Sequence, residues 1–126
     1  MEKNVLQTPH APSPIGPYSQ AIQANNLLFI SGQIAIDPAT DQMIKGDIVE
    51  ETHRVMQNLK AILAAAGMDF QHVVKTTIFI LDMQDFSAVN EVYGKYFQER
   101  FPARETVQVA GLPRGARVEI AMIAAK

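Results

Sequence analysis

Residues 47–81 read DIVEETHRVMQNLKAILAAAGMDFQHVVKTTIFIL and contain the signals of a complete helix followed by a complete strand. Asp47 can cap the helix, Glu50 has capping-box spacing, and Gly67 is placed to end the helix in a left-handed conformation. Residues suited to a buried face recur at spacings of three and four: Ile48, Thr52, Val55, Met56, Leu59, Ile62, Leu63 and Ala66. Four polar residues fall mostly off this stripe: Glu51, Arg54, Asn58 and Lys60. The pattern predicts an amphipathic helix over residues 47–66 and a β-branched strand over residues 73–81.

On the amino-terminal side, two shorter strands are predicted. The apolar run LLFI at residues 27–30, which ends at Ser31-Gly32, is typical of a strand buried on both faces. Residues 19–24 alternate weakly and lead into a tight turn at Asn25-Asn26. Residues 8–18 contain four prolines and predict an ordered, extended segment that lies on a surface.

On the carboxyl-terminal side, a second helix is predicted over residues 85–100, and strands over residues 106–110 and 118–124. The buried stripe of this helix consists of Phe86, Val89, Tyr93 and Phe97. The order of strands, helix, strand, helix and strands predicts an α/β (α+β) fold, with a mixed sheet and both helices on one face. Residues 118–124 are apolar on both sides except at Glu119, and two helices can cover only one face. The uncovered face predicts oligomerisation.

The composition narrows the function classes. The chain has 126 residues, 48% of them hydrophobic, which fits a single domain over residues 1–126. The absence of cysteine excludes disulfides, thiolate metal sites and a cysteine nucleophile. The net charge is −2 and no basic stripe is visible, so we expect no nucleic-acid partner. With no signal-peptide pattern and no apolar run near the roughly 20 residues that span a bilayer, we expect a cytoplasmic protein without a membrane partner.

No motif indicates a metal or a nucleotide. The three histidines, His10, His53 and His72, lack ligand spacing, and neither a GxGxxG nor a phosphate-binding loop occurs.

Glu119 interrupts an apolar strand. It either faces water or forms a structural ion pair, or else it acts as a general acid or base in a partly dry pocket. Arg104 follows Phe101-Pro102 and is either a solvated surface arginine or a guanidinium held for a carboxylate. Asn90 lies on or beside the second helix's stripe, as a structural amide or a pocket residue.

Several segments together resemble the reactive intermediate deaminase (RidA/YjgF) family over essentially the whole chain. They are IGPYSQ at residues 15–20, SGQI at 31–34, NLKAIL at 58–63, VKTTIF at 74–79, VNEVY at 89–93, PAR at 102–104, LP at 112–113 and VEI at 118–120. The resemblance implies a chorismate-mutase-like fold with a six-stranded mixed sheet, and a homotrimer with its sites between subunits. It also implies hydrolysis of 2-iminopropanoate and 2-iminobutanoate to 2-keto acids and ammonia without cofactor or metal.

The resemblance also implies roles for individual residues. Arg104 would bind the substrate carboxylate and Glu119 would handle the attacking water, while Tyr18, Ser31, Gly32 and Asn90 would line the pocket. The chain departs from the family at Thr106, where many members have a cysteine, and we expect its hydroxyl to replace the thiol as a polar wall. Two other functions stay open: a ribonuclease-like translation inhibitor, and a non-catalytic trimeric module that binds a small carboxylate.

Overall fold

One mixed sheet and two helices organise the computed structural model, which describes residues 1–126. The strands are β1 (Lys3–Leu6), β2 (Ala21–Ala24), β3 (Leu27–Gln33), β4 (Ile36–Asp37), β5 (Gln42–Met43), β6 (Val73–Ile80), β7 (Ala103–Gln108) and β8 (Val118–Ala125). The helices are α1 (Ile48–Ala65) and α2 (Phe86–Gly94), accompanied by short 3₁₀ helices at Phe70–His72, Met83–Asp85 and Pro113–Gly115. Six strands form the main sheet in the order β1-β2-β3-β8-β6-β7, and β4 pairs with β5.

The sheet is mixed because β6 and β7 run parallel while the other neighbours in the six-stranded sheet are antiparallel. A parallel pair needs a crossover, and α2 supplies it. Helix α1 packs on β3 and β8, and α2 packs beside α1. The predicted mixed six-stranded sheet with two helices is therefore confirmed.

Strand β8 shows the two faces of the sheet most clearly. Its even-numbered residues, Val118, Ile120, Met122 and Ala124, are buried under the helices. Its odd-numbered residues are only half-buried, and Phe29 on β3 is 42% exposed on the same outer face. The prediction that residues 27–30 are buried on both faces is thus wrong for the isolated chain, because nothing in the chain covers the outer face.

Helix α1 matches its prediction at both ends. Asp47 Oδ1 accepts a hydrogen bond from the Glu50 backbone N–H at 2.9 Å, which caps the helix. Gly67 follows with φ of 71°, the left-handed conformation that glycine adopts without strain. The assignment of Glu51 and Asn58 to the polar side is wrong, because both side chains are buried and bonded to other parts of the chain.

The second helix and the seventh strand differ from their predicted bounds. Helix α2 ends at Gly94 rather than residue 100, and Lys95, Tyr96 and Phe97 close the end with tighter bonds to carbonyls three residues back. Phe97 remains buried, which explains why the helical spacing continues past the helix. Strand β7 begins at Ala103 rather than residue 106 because its parallel pairing with β6 already starts there.

Candidate active site

The first candidate cleft surrounds Glu119, the second residue of β8. Ile15, Tyr18, Ser31, Gly32 and Pro113 line it with Glu119, and it encloses about 320 Å³. The structure therefore brings together four of the predicted site residues: Tyr18, Ser31, Gly32 and Glu119.

A bulge in β3 allows Glu119 to lie against the backbone. Ile30 pairs with Met122 and Gln33 with Ile120, so Ser31 and Gly32 together oppose one residue of β8. A Cβ at Gly32 would lie 2.8 Å from Cδ of Glu119 and also collide with its carboxylate oxygen. Only glycine leaves room for the carboxylate at this position.

The Glu119 carboxylate is half-buried and accepts no hydrogen bond from any other group of the chain. Burial raises the pKa of this carboxyl above its ordinary value of 4.5, because desolvation penalises the charged form. A carboxylate in this environment is a stronger base than one in water and keeps its lone pairs available.

The proline-rich segment forms one wall of this cleft and is ordered, as predicted. The buried Gln20 side chain holds it, since Nε2 donates to the carbonyls of Thr8, Ala11 and Pro12 at 2.9–3.1 Å. Tyr18 completes the wall, and its hydroxyl accepts from the Ile15 backbone N–H at 3.2 Å.

A second candidate cleft surrounds Arg104 on β7. Asn90, Tyr93, Gly94, Phe101 and Pro102 line it with Arg104, and it encloses about 300 Å³. Asn90 is exposed, which argues against the alternative of a buried structural amide, and it shares a cleft with Arg104. Its role as a pocket residue stays a prediction. The helical stripe turns Val89 and Tyr93 inward, which directs Asn90 outward.

Two aromatic rings of α2 hold the Arg104 guanidinium in place. Its Cζ lies 5.1 Å from the ring centre of Tyr93 and 5.8 Å from that of Phe86, within the range of cation–π attraction. Tyr93 is fixed in turn by a 3.0 Å hydrogen bond from its hydroxyl to Thr76 Oγ1, and burial raises its pKa, so the phenol stays neutral. No carboxylate and no carbonyl accepts from Arg104, which leaves its donors free for a ligand.

Thr106 lies two residues beyond Arg104 in β7 and shares its face of the sheet. Its Oγ1 is buried without a hydrogen-bond partner, the only such side-chain atom in the chain. Thr106 lines neither the Arg104 cleft nor the Glu119 cleft, so its role as a polar wall stays a prediction.

The family model described as endoribonuclease L-PSP matches residues 8–126. The chain belongs to this family, which includes the RidA/YjgF proteins. Mouse 2-iminobutanoate/2-iminopropanoate deaminase is 52% identical over 97% of the chain and 90% of its own length. Protein DfrA of Myxococcus xanthus is 56% identical over 98% of the chain and 96% of its own length. The structure of Escherichia coli TdcF with bound serine is 39% identical, covers 98% of each chain and superposes with a TM-score of 0.93.

In this RidA/YjgF chain, the two clefts open on opposite faces of the sheet. Arg104 pairs with Thr76, which is buried on the helix side, and its guanidinium contacts α2. Glu119 pairs with Phe79 on the outer side, away from the helices. Since paired residues share a face, one chain cannot bring these two groups into a single pocket.

Sequence reasoning missed the aromatic support of Arg104. Tyr93 and Phe86 were assigned only to the helical stripe, and Phe101 was only a neighbour of the proline. Phe101 is 60% exposed and lines the Arg104 cleft. The signal in the sequence that could have indicated an aromatic lining of the Arg104 cleft is the phenylalanine directly before Pro102-Ala103-Arg104.

No three histidine, aspartate or glutamate side chains of this family member lie close enough together to hold a metal ion. None of its helices is long and apolar enough to cross a membrane.

Proposed function

We propose that the protein is a hydrolytic deaminase that converts 2-imino acids, with 2-iminopropanoate and 2-iminobutanoate as substrates, to 2-keto acids and ammonia. The observation that carries this proposal is the presence of two complementary groups without partners. The Arg104 guanidinium is held by aromatic rings and has free donors, and the Glu119 carboxylate is half-buried and has free lone pairs. A 2-imino acid needs both: a cation for its carboxylate and a base for the water that attacks its carbon.

We also propose that the complete site lies between two chains of a homotrimer. The outer sheet face, with Ile22, Phe29 and Ile123 along a shallow depression of about 420 Å³, is the apolar surface that a second copy would cover. The helix-side cleft of Arg104 would then approach the outer-side cleft of Glu119 from the neighbouring chain. This arrangement accounts for two incomplete clefts on opposite faces of one sheet.

The chemistry follows from the two groups. Arg104 would bind the substrate carboxylate through paired, charge-assisted hydrogen bonds and so orient the imine carbon. Glu119 would take a proton from water as the water oxygen bonds to the imine carbon, and would pass that proton to the imine nitrogen. The hydroxyl of the resulting carbinolamine would then give its proton to Glu119 as the keto group forms. Glu119 would pass that proton to the nitrogen, which leaves as ammonia.

The similar proteins support this chemistry. Relatives at about half identity are named for this deaminase activity, and the TdcF structure holds serine, a ligand that carries the carboxylate Arg104 would recognise. The test is direct: a threonine dehydratase generates 2-iminobutanoate, and the protein is added while 2-ketobutanoate release is timed. Faster release than with dehydratase alone supports the proposal, and an unchanged rate refutes it.

RNA cleavage is a second candidate, favoured by the description of the family model as an endoribonuclease. The net charge of −2 gives little attraction for phosphates. Incubation of labelled RNA with the parent protein and with Arg104→Ala distinguishes the two functions, since only a cleavage that the variant loses would belong to this site.

A further inference from the structure

Helix α1 carries two buried polar residues on one face. The Glu51 residue is 5% exposed and Asn58 is fully buried, and seven positions separate them, which is about two helical turns. Both side chains bind backbone groups of the segments that form the Glu119 cleft.

Glu51 holds the start of β8. Its Oε2 accepts from the backbone N–H of Arg117 at 2.7 Å and of Val118 at 3.3 Å, while Oε1 accepts from Arg117 Nε at 2.7 Å. Glu119 is the next residue along the chain. Glu51 therefore links the start of β8 to α1.

Asn58 holds the chain just after the β3 bulge. Its Nδ2 donates to the Ile34 carbonyl at 3.1 Å and to the Ile36 carbonyl at 3.0 Å. The amide is fixed in turn, because Oδ1 accepts from Arg54 Nε and Nη2 at 3.1 and 2.9 Å. Ile34 and Ile36 line a small adjoining cavity that shares Gly32 and Glu119 with this cleft.

We propose that Glu51 and Asn58 are positioning residues for Glu119. One rigid helix sets the spacing between the start of β8 and the bulge of β3, and so holds the carboxylate against Gly32. The close approach of Glu119 to Gly32 depends on this spacing, because a Cβ at Gly32 would already lie 2.8 Å from Cδ of Glu119. The catalytic consequence rests on the proposed deaminase function, whereas the placement of the carboxylate does not.

Tyr18 is the one other titratable residue that lines the Glu119 cleft and its adjoining cavity. Arg114 and Arg117 precede β8 in the chain, and the Lys75–Glu105 ion pair lies on the outer face of β6 and β7. Burial is the cause that raises the Glu119 pKa, so hydration of the carboxylate is the property that a loss of positioning would change.

The experiment uses two variants of nearly unchanged shape in the full-length protein. Glu51→Gln removes one acceptor from the Arg117 and Val118 contacts. Asn58→Leu removes both donors to Ile34 and Ile36 without a change of charge. The Glu119 carboxyl is titrated by ¹³C NMR, with its resonance assigned by its loss in Glu119→Gln. We expect its pKa to fall towards 4.5 in both variants. We also expect kcat to fall about 10- to 100-fold with little change in KM, since Arg104 lies on the other sheet face.

Thr52→Val is the matched control. Thr52 is the buried neighbour of Glu51, and its hydroxyl bonds only to the Ile48 carbonyl of the same helix at 2.7 Å. This variant should lose thermal stability but keep the Glu119 titration and kcat of the parent. A parental Glu119 titration in the folded Glu51→Gln and Asn58→Leu variants would overturn the proposal. Asn58→Leu, which changes no charge, decides alone if Glu51→Gln does not fold. The NMR titration decides even if the parent hydrolyses no imine.

Discussion

Replacement of Arg104 by lysine separates the charge of this residue from its shape. Lysine keeps one positive charge but loses the planar fork that binds both carboxylate oxygens. A hydrogen bond to a charged group contributes about 1.5–3 kcal/mol, so the loss of one such bond predicts a fall in kcat/KM of about 10- to 150-fold. Arg104→Ala should lose more, because the carboxylate is then unbound in both the ground state and the transition state.

The effect of Arg104→Ala on stability should be small in comparison with its effect on activity. Arg104 makes no ion pair, and its contacts are the Tyr93 and Phe86 rings at 5.1 and 5.8 Å. Each cation–π contact at an exposed site contributes about 0.5–1 kcal/mol, so Arg104→Ala should lower the free energy of unfolding by about 1–2 kcal/mol. That corresponds to a fall in melting temperature of roughly 4–8 °C in a chain of this size.

The assay pairs thermal melting with the coupled 2-ketobutanoate measurement on the same samples. Arg100→Lys is the matched control, since Arg100 is exposed and lies outside both clefts. A stable Arg104→Ala protein with full activity would refute the deaminase mechanism. An Arg104→Ala protein that unfolds or fails to assemble would instead assign Arg104 a structural role.

Glu119→Gln should lower kcat by about 10²–10⁴-fold, the usual contribution of an acid–base group, while binding of the 2-keto acid changes little. Turnover at the parental rate would instead assign Glu119 a structural role. Because burial raises the Glu119 pKa, the parent loses stability as pH rises through 4.5 towards the folded-state pKa. The melting temperature of Glu119→Gln relative to the parent should therefore be highest at neutral pH, fall as the pH drops from the folded-state pKa to 4.5, and stay level below 4.5; a constant difference would contradict this. Gly32→Ala should keep the fold but lower activity like Glu119→Gln, because its Cβ would displace the carboxylate, whereas Gly111→Ala has open space and should be neutral. Full activity of Gly32→Ala would contradict the close contact. Light scattering should give three times the 13.9 kDa chain mass, and a mass of one chain at micromolar concentration would rule out the trimer.

The regular elements were the part of the fold that the sequence predicted well. Helix α1 has both a periodic apolar stripe and chemical stops, Asp47 and Gly67, so its bounds were predicted within one residue. The end of α2 was not predicted because Phe97 continues the helical spacing although the chain has left the helix. The start of β7 was not predicted because the strand is defined by its pairing with β6, and residues 103–105 carry no strong β-propensity of their own.

The candidate site required information that no periodicity contains. Glu119 and Arg104 were selected for their charge, but their placement on opposite faces depends on the register of β6 with both neighbouring strands. A shift of one residue in either register would reverse a face and change how the site is assembled.

The buried polar residues of α1 also could not be predicted from the sequence pattern. Hydrophobic periodicity assigns a glutamate or asparagine to water because it measures the cost of burial without the partners that offset it. Glu51 and Asn58 are buried because backbone groups at the ends of strands need partners. Glu51 accepts from the N–H groups of Arg117 and Val118, and Asn58 donates to the carbonyls of Ile34 and Ile36. Those backbone groups exist only once β8 and the bulged β3 have formed beside the helix. The residues proposed to position the Glu119 carboxylate can therefore be recognised only from the assembled sheet, although Glu119 itself stands out in the sequence.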